Sequence, residues 1–246
     1  MKFKFRYVLI GLGVILLLAV GGFVVWAANP LGPGEQARTA LEAGENVIVE
    51  VGDSIVFRPA QDDPETGFVF YPGGRVDYRS YAPILRDIAA QGYLVVLVPA
   101  PLNLMVFDPD KAAEVLPQFP GIEHWAVGGH SLGGAMAANF LYTNPGTAEG
   151  LILWASYPAS NNDLSDSELK VLSIYGTLDM GGLEAFDASR ALLPPDTTWV
   201  VIQGGNHAQF GDYGFQPGDN PATISAADQQ MQIVDATVAF LKSLEE

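Results

Sequence analysis

Apolar and polar positions along the chain fall into three successive regimes. Residues 7–28, "YVLIGLGVILLLAVGGFVVWAA", form an uncharged, almost wholly apolar run of 22 residues, preceded by Lys2, Lys4 and Arg6. About 20 such residues cross a bilayer as a helix, whereas the apolar core of a cleaved export signal has roughly 7 to 15. Residues 1–28 are therefore expected to be a transmembrane anchor; the alternative is a signal segment cut near Val25-Trp26-Ala27. The three cations predict a cytoplasmic N-terminal side, with everything after Asn29 outside the membrane: a single-pass protein, or a secreted one if the segment is cleaved. Residues 29–46, "NPLGPGEQARTALEAGEN", are rich in Gly, Pro and polar side chains and read as a linker.

From residue 47 short apolar runs alternate with helical periodicity. "VIVEV" (47–51) and "SIVFRP" (54–59) flank Gly52-Asp53 and predict an antiparallel hairpin. Strands follow at "GFVFY" (67–71), "YLVVLVP" (93–99), "EHWAVGG" (123–129), "GLILWA" (150–155), "LKVLSIYG" (169–176) and "TWVVIQG" (198–204). Helices are expected at 78–91, near 110–116, at 132–142, around 182–193 and near 225–243. Strands that are apolar on both faces and separated by helices predict an α/β domain over 47–246, with a mostly parallel sheet of about eight strands covered on both sides. The dozen residues between 155 and 169 are too few for a separate cap, and the longest irregular stretch, 204–225, has the length of a functional loop.

Composition narrows the chemistry. The formal charge is −16, and since residues 1–29 hold three cations and no acids, the rest carries nine cations against 28 acids, −19. Such a surface repels nucleic acid and anionic lipid head groups. With no cysteine in the chain, thiol nucleophiles, thiolate metal sites and disulfides are excluded.

One motif survives this filter. Gly129-His130-Ser131-Leu132-Gly133 joins an apolar strand to the small-residue helix "LGGAMAANFLY", the setting of a nucleophile elbow. The turn exposes the serine hydroxyl and needs small residues two before and two after it. A serine hydroxyl also needs a base. Of the three histidines, His124 lies on the strand leading in and His130 packs around the turn with its side chain directed away; His207, just past the last strand in "IQGGNHAQFGDYG", would emerge on the same sheet edge as Ser131. The orienting carboxylate is expected at a strand end between serine and histidine, which selects Asp179 of "YGTLD", with Asp212 as second choice. For an oxyanion, one donor is the N–H of Leu132, and the second is expected in the loop after the first parallel strand, "YPGGR", at Gly74.

The ordered set "YPGG", "GGHSLGG", "YGTLD" and "GGNHAQFGDYG" resembles the α/β-hydrolase superfamily, specifically small uncapped members similar to dienelactone-hydrolase-like bacterial hydrolases, over about residues 47–244. The resemblance implies an eight-stranded α/β-hydrolase fold and a Ser131, Asp179, His207 triad. Two departures stand out: Pro72-Gly73 replaces the usual His-Gly, and the cysteine of dienelactone hydrolases is absent. The combined expectation is a serine carboxylesterase acting on small ester substrates through an acyl-enzyme, needing no metal or organic cofactor. An acyltransferase using the same triad and a non-catalytic, membrane-tethered binding module remain the alternatives.

Overall fold

The computed structural model describes residues 2–42, 44–61 and 63–246; Met1, at the head of the predicted anchor, Ala43, in the predicted linker, and Asp62 lie outside the described residues. A long helix α1 (Lys2–Ala27) comes first, exposed from Phe5 to Trp26. It is long and apolar enough over Phe5–Ala27 to cross a membrane. The stretch from 29 to 46 is not extended chain. It holds a short helix α2 (Glu35–Thr39) whose Ala37 N–H donates to the Asp212 carboxylate at 2.7 Å, and Gly34 N–H donates to the Asp212 carbonyl at 2.7 Å. Five residues cannot sustain a helix by propensity, so these long-range bonds hold it.

The domain proper runs β1 (Val47–Val51), β2 (Ile55–Pro59), β3 (Thr66–Tyr71), α3 (Ala82–Ala89), β4 (Leu94–Leu97), α4 (Lys111–Val115), β5 (His124–His130), α5 (Leu132–Thr143), β6 (Gly150–Trp154), β7 (Lys170–Gly176), α6 (Leu183–Ser189), β8 (Thr198–Ile202) and α7 (Ala226–Leu244). The eight strands form one sheet in the order β1-β2-β4-β3-β5-β6-β7-β8. β2 pairs antiparallel with both neighbours, and the six strands from β3 to β8 are mutually parallel. The expected helix at 78–91 begins as a 3₁₀ turn (Tyr78–Tyr81) capped by the Asp77 carboxylate, because Pro83 in the first turn of α3 suits a helix start.

Both sheet faces are covered, as the continuous apolar runs require. Alternate residues diverge within single strands: Phe68 and Phe70 of β3 face one core with Ile84, Leu85 and Ile88 of α3 and Phe240 and Leu241 of α7, while Val69 and Tyr71 face another with Phe140 and Leu141 of α5. Parallel strands all point the same way, so the loops after β3, β5, β6, β7 and β8 gather at one edge. This is the α/β-hydrolase fold.

Candidate active site

Ser131 directly follows β5 and caps α5 with φ 52° and ψ −121°, a left-handed conformation that costs a non-glycine residue about 1–3 kcal/mol and persists only when its surroundings impose it. Here the Ser131 N–H donates to the Trp154 carbonyl at 2.9 Å, and the Ser131 carbonyl accepts from the Ser156 hydroxyl at 2.6 Å. The flanking glycines are sterically required. A Cβ on Gly129 would lie 2.7 Å from the Gly133 carbonyl carbon, and one on Gly133 would overlap the carbonyl oxygens of Tyr71 and Pro72. The elbow closes only because strand, helix and the loop after β3 meet backbone to backbone.

His207 lies two residues past the Gly204-Gly205 turn that follows β8. Its Nδ1 sits 2.8 Å from Asp179 Oδ2 in a nearly water-free contact, with side-chain exposures of 6% and 2%. Asp179 follows the end of β7 and accepts the Gly181 N–H at 2.9 Å through its other oxygen, which fixes the carboxylate plane. Neighbouring strand ends bring these residues together. The Leu178 N–H donates to Gly205 O at 2.9 Å, the Gly204 N–H donates to Thr177 Oγ1 at 2.9 Å, and a Cβ on Gly176 would overlap the Gly205 carbonyl.

Ser131, Asp179 and His207 line one cleft of about 350 Å³ with Leu132, Ser156, Tyr157 and Met180 among its other walls. Leu132 is the first residue of α5, so its N–H has no carbonyl partner within the helix and heads its positive end. The loop after β3 lies against it: a Cβ on Gly74 would stand 3.0 Å from Leu132 Cδ2. The two predicted oxyanion donors thus belong to adjoining residues. Arg75, next in the loop, is held at φ 57° with its N–H on the Asn103 carbonyl at 2.7 Å.

The remaining histidines fall elsewhere. His124 is partly exposed and pairs with Glu149 at 2.9 Å. His130 is buried behind the elbow, stacked on Phe210, with its ring centroid 4.4 Å from that of His207. The Tyr81 hydroxyl accepts the Gly73 N–H at 3.0 Å, which leaves its own proton for His130 Nδ1 at 2.8 Å. That bond assigns the His130 proton to Nε2, an atom with no hydrogen-bond partner. Burial, and then the proximity of His207, hold the His130 pKa well below the ordinary imidazole value, while burial pushes Tyr81 up; both are neutral. The Asp212 carboxylate is engaged elsewhere, accepting the Ala37 N–H of α2.

Three supports escaped sequence reasoning. Gln229 of α7, fully buried, accepts the Asn206 N–H at 3.0 Å and donates to the Asn206 carbonyl at 2.8 Å, clamping the residue before His207. Asp219 accepts the N–H groups of His207 at 3.3 Å and Ala208 at 2.8 Å. Ser156 braces the elbow from the loop after β6. No pattern along the chain marks these residues, because each acts through a contact between distant segments. Among the described residues, no three His, Cys, Asp or Glu side chains are grouped to hold a metal ion.

Comparison with known proteins agrees with this fold. The model of a family described as "Alpha/beta hydrolase family" matches residues 67–231, about two-thirds of the chain. No curated protein sequence matches. Among solved structures the chain is similar to carboxyl esterase 2 from the mycorrhizal fungus Tuber melanosporum (TM-score 0.59, 12% identity, 82% of this chain and 88% of that one). It is likewise similar to a predicted CIB-like hydrolase from Thermoplasma acidophilum (0.58, 16%, 82% and 100%) and to a thermophilic esterase from the planctomycete Thermogutta terrifontis (0.54, 18%, 86% and 95%). At these identities the structural likeness concerns the fold.

Proposed function

Because this chain belongs to the α/β-hydrolase family, we propose that it is a serine hydrolase cleaving carboxylic esters at the Ser131 cleft. The observation that carries the reading is the buried 2.8 Å contact between His207 Nδ1 and Asp179 Oδ2 in the cleft that Ser131 lines. The titles of two structurally similar proteins, a carboxyl esterase and an esterase, point to the same bond type.

The chemistry then follows from the residues. With Nδ1–H donating to Asp179, the His207 proton is committed to that nitrogen and Nε2 is free to take the proton of the Ser131 hydroxyl as its oxygen attacks the ester carbonyl. The oxyanion that forms is met by the N–H groups of Leu132 and Gly74, at the positive end of α5. His207 returns the proton to the leaving alkoxide, giving an acyl-serine. Water then attacks the acyl carbon as it loses a proton to His207, and His207 returns that proton to Ser131 Oγ as the acid leaves. Asp179 stabilises the imidazolium in both halves.

We further read α1 as a retained membrane anchor. Its last residue, Ala27, is buried on the domain with its carbonyl bonded to Asn103 Nδ2 at 2.9 Å, which supports retention over release.

The test is covalent labelling with a fluorophosphonate. Wild type is expected to label and Ser131→Ala not to; absence of label on folded wild type would refute the assignment. Asp179→Asn should lower kcat by about 10³–10⁴-fold while leaving the fold intact, as when the orienting carboxylate of a triad is neutralised. Asp212→Asn should change kcat little, and the reverse pattern would overturn the choice of acid.

A further inference from the structure

Helix α1 ends on the domain beside the candidate active site. Arg75, adjoining Gly74, donates Nε to the Trp26 carbonyl at 3.0 Å and Nη2 to the Asn29 carbonyl at 2.7 Å, and its guanidinium lies 4.3 Å from the Trp26 ring. Asn103 binds the Ala27 carbonyl with its side chain and the Arg75 N–H with its own carbonyl. Phe107 stands edge-on to Phe23 with ring centroids 6.3 Å apart. The helix end and the segment 101–107 are thereby one packed unit.

That segment, "PLNLMVF", is uncharged in a strongly acidic domain. It makes two 3₁₀ turns, Pro101–Asn103 and Met105–Phe107, with Leu102 and Asn103 at φ 52° and 56°. This backbone buries Met105 and leaves Leu102, Val106 and Phe107 38%, 45% and 52% exposed. A cluster of large apolar side chains facing outward marks a surface that something covers. Leu104, between them, reaches the oxyanion loop: a Cβ on Gly74 would lie 3.6 Å from Leu104 Cδ2.

Depth identifies the cover. The 23 residues Phe5–Ala27 make a helix of about 35 Å, slightly more than the hydrocarbon core of a bilayer. Ala27 ends this apolar span, and Phe23 lies four residues, about 6 Å, back along it. Phe107, in contact with Phe23, is at the same level. We propose that Leu102, Val106 and Phe107 enter the acyl boundary of the bilayer that holds α1, that the mouth of the Ser131 cleft is thereby fixed at the membrane surface, and that its substrate is an acyl ester presented by the bilayer. The cleft suits an acyl chain, since Tyr157 and Met180 are among its lining residues and remain 39% and 42% exposed. The proposal rests on α1 as anchor and on Ser131 as nucleophile.

The absence of cysteine makes single-site labelling of the full chain direct. Leu17→Cys in α1, Val106→Cys, and Glu168→Cys on the opposite sheet edge would each carry an environment-sensitive fluorophore in phosphatidylcholine nanodiscs containing a lipid-borne quencher. Quenching at 17 and 106 but not at 168 is expected. Quenching at 17 alone would overturn the docked loop and leave the anchor standing; quenching at neither would overturn the anchor and this inference with it. In parallel, Val106→Asp/Phe107→Asp should hydrolyse a water-soluble short-chain ester as wild type does, yet lose about tenfold on a long-chain ester embedded in the nanodisc, the scale of placing charges at the bilayer boundary. Equal loss on both substrates, or loss on neither, would refute a bilayer-presented substrate. Fluorophosphonate labelling of Ser131 in every sample reports separately on the hydrolase reading.

Discussion

His130 shows how a residue inside the sequence motif serves the site without touching a substrate. It fills the space behind the elbow as a neutral ring, hydrogen-bonded to the Tyr81 hydroxyl and stacked on Phe210. The folded state holds its pKa below the unfolded value, so the unfolded chain binds the extra proton as pH falls below about 6.5. This contribution to stability is complete above that pH and is lost on acidification, at up to about 1.4 kcal/mol per pH unit until the folded pKa is reached. His130→Asn, whose amide oxygen can still accept from Tyr81, should flatten the slope of unfolding free energy between pH 7 and pH 5 measured by denaturant titration, even if it lowers stability throughout. A slope identical to wild type would show that His130 does not carry the acid sensitivity. The proximity of Ser131, Asp179 and His207 could be read from the chain because each follows an apolar strand and parallel strands end at one edge. Tyr81 could not, since its place between Gly73 and His130 depends on how the turn before α3 folds back over the elbow.

At the scale of elements, the strands were legible because a parallel sheet buried on both faces leaves uninterrupted apolar runs, and the helices because their small or amphipathic faces recur at helical spacing. Helix α2 was not, as its five residues in a Gly- and Pro-rich stretch carry no periodic signal and are held by Asp212, 175 positions away. Contacts between elements also set the tolerance of the elbow. Gly133→Ala would push a methyl group into the carbonyls of Tyr71 and Pro72 and move α5 away from the loop after β3. We expect a loss of about 1–3 kcal/mol in stability, the usual cost of overpacking, and a fall in kcat/KM of at least about tenfold. Thermal melts and steady-state kinetics on the same preparation would check both, and a fully active variant would mean that the loop yields without cost. Gly146→Ala, in an open turn of the opposite edge, is the control for kinetics.

For the whole molecule, charge and apolar surface are segregated. The part after residue 29 carries all 28 acidic side chains, whereas the exposed apolar surface lies mainly on α1 and the adjoining 102–107 turn. A net −16 repels itself in the compact state, so screening should stabilise it: raising salt from about 0.02 M to 0.5 M, which shortens the Debye length from roughly 20 Å to 4 Å, is expected to raise Tm by a few degrees in detergent micelles. A Tm that falls with salt would indicate that local ion pairs outweigh the repulsion. The clamp between Gln229 and Asn206 has a different consequence, one of timing. Gln229 sits in the first turns of α7, where helices fray, and it grips the backbone one residue before His207. Brief opening of that helix end would release the histidine loop while the sheet stays intact, so heat or denaturant should silence the protein before it unfolds. Amide exchange at Asn206 and at the start of α7 would then run at one shared rate, faster than exchange from the strands, and that rate would set how long an active molecule lasts.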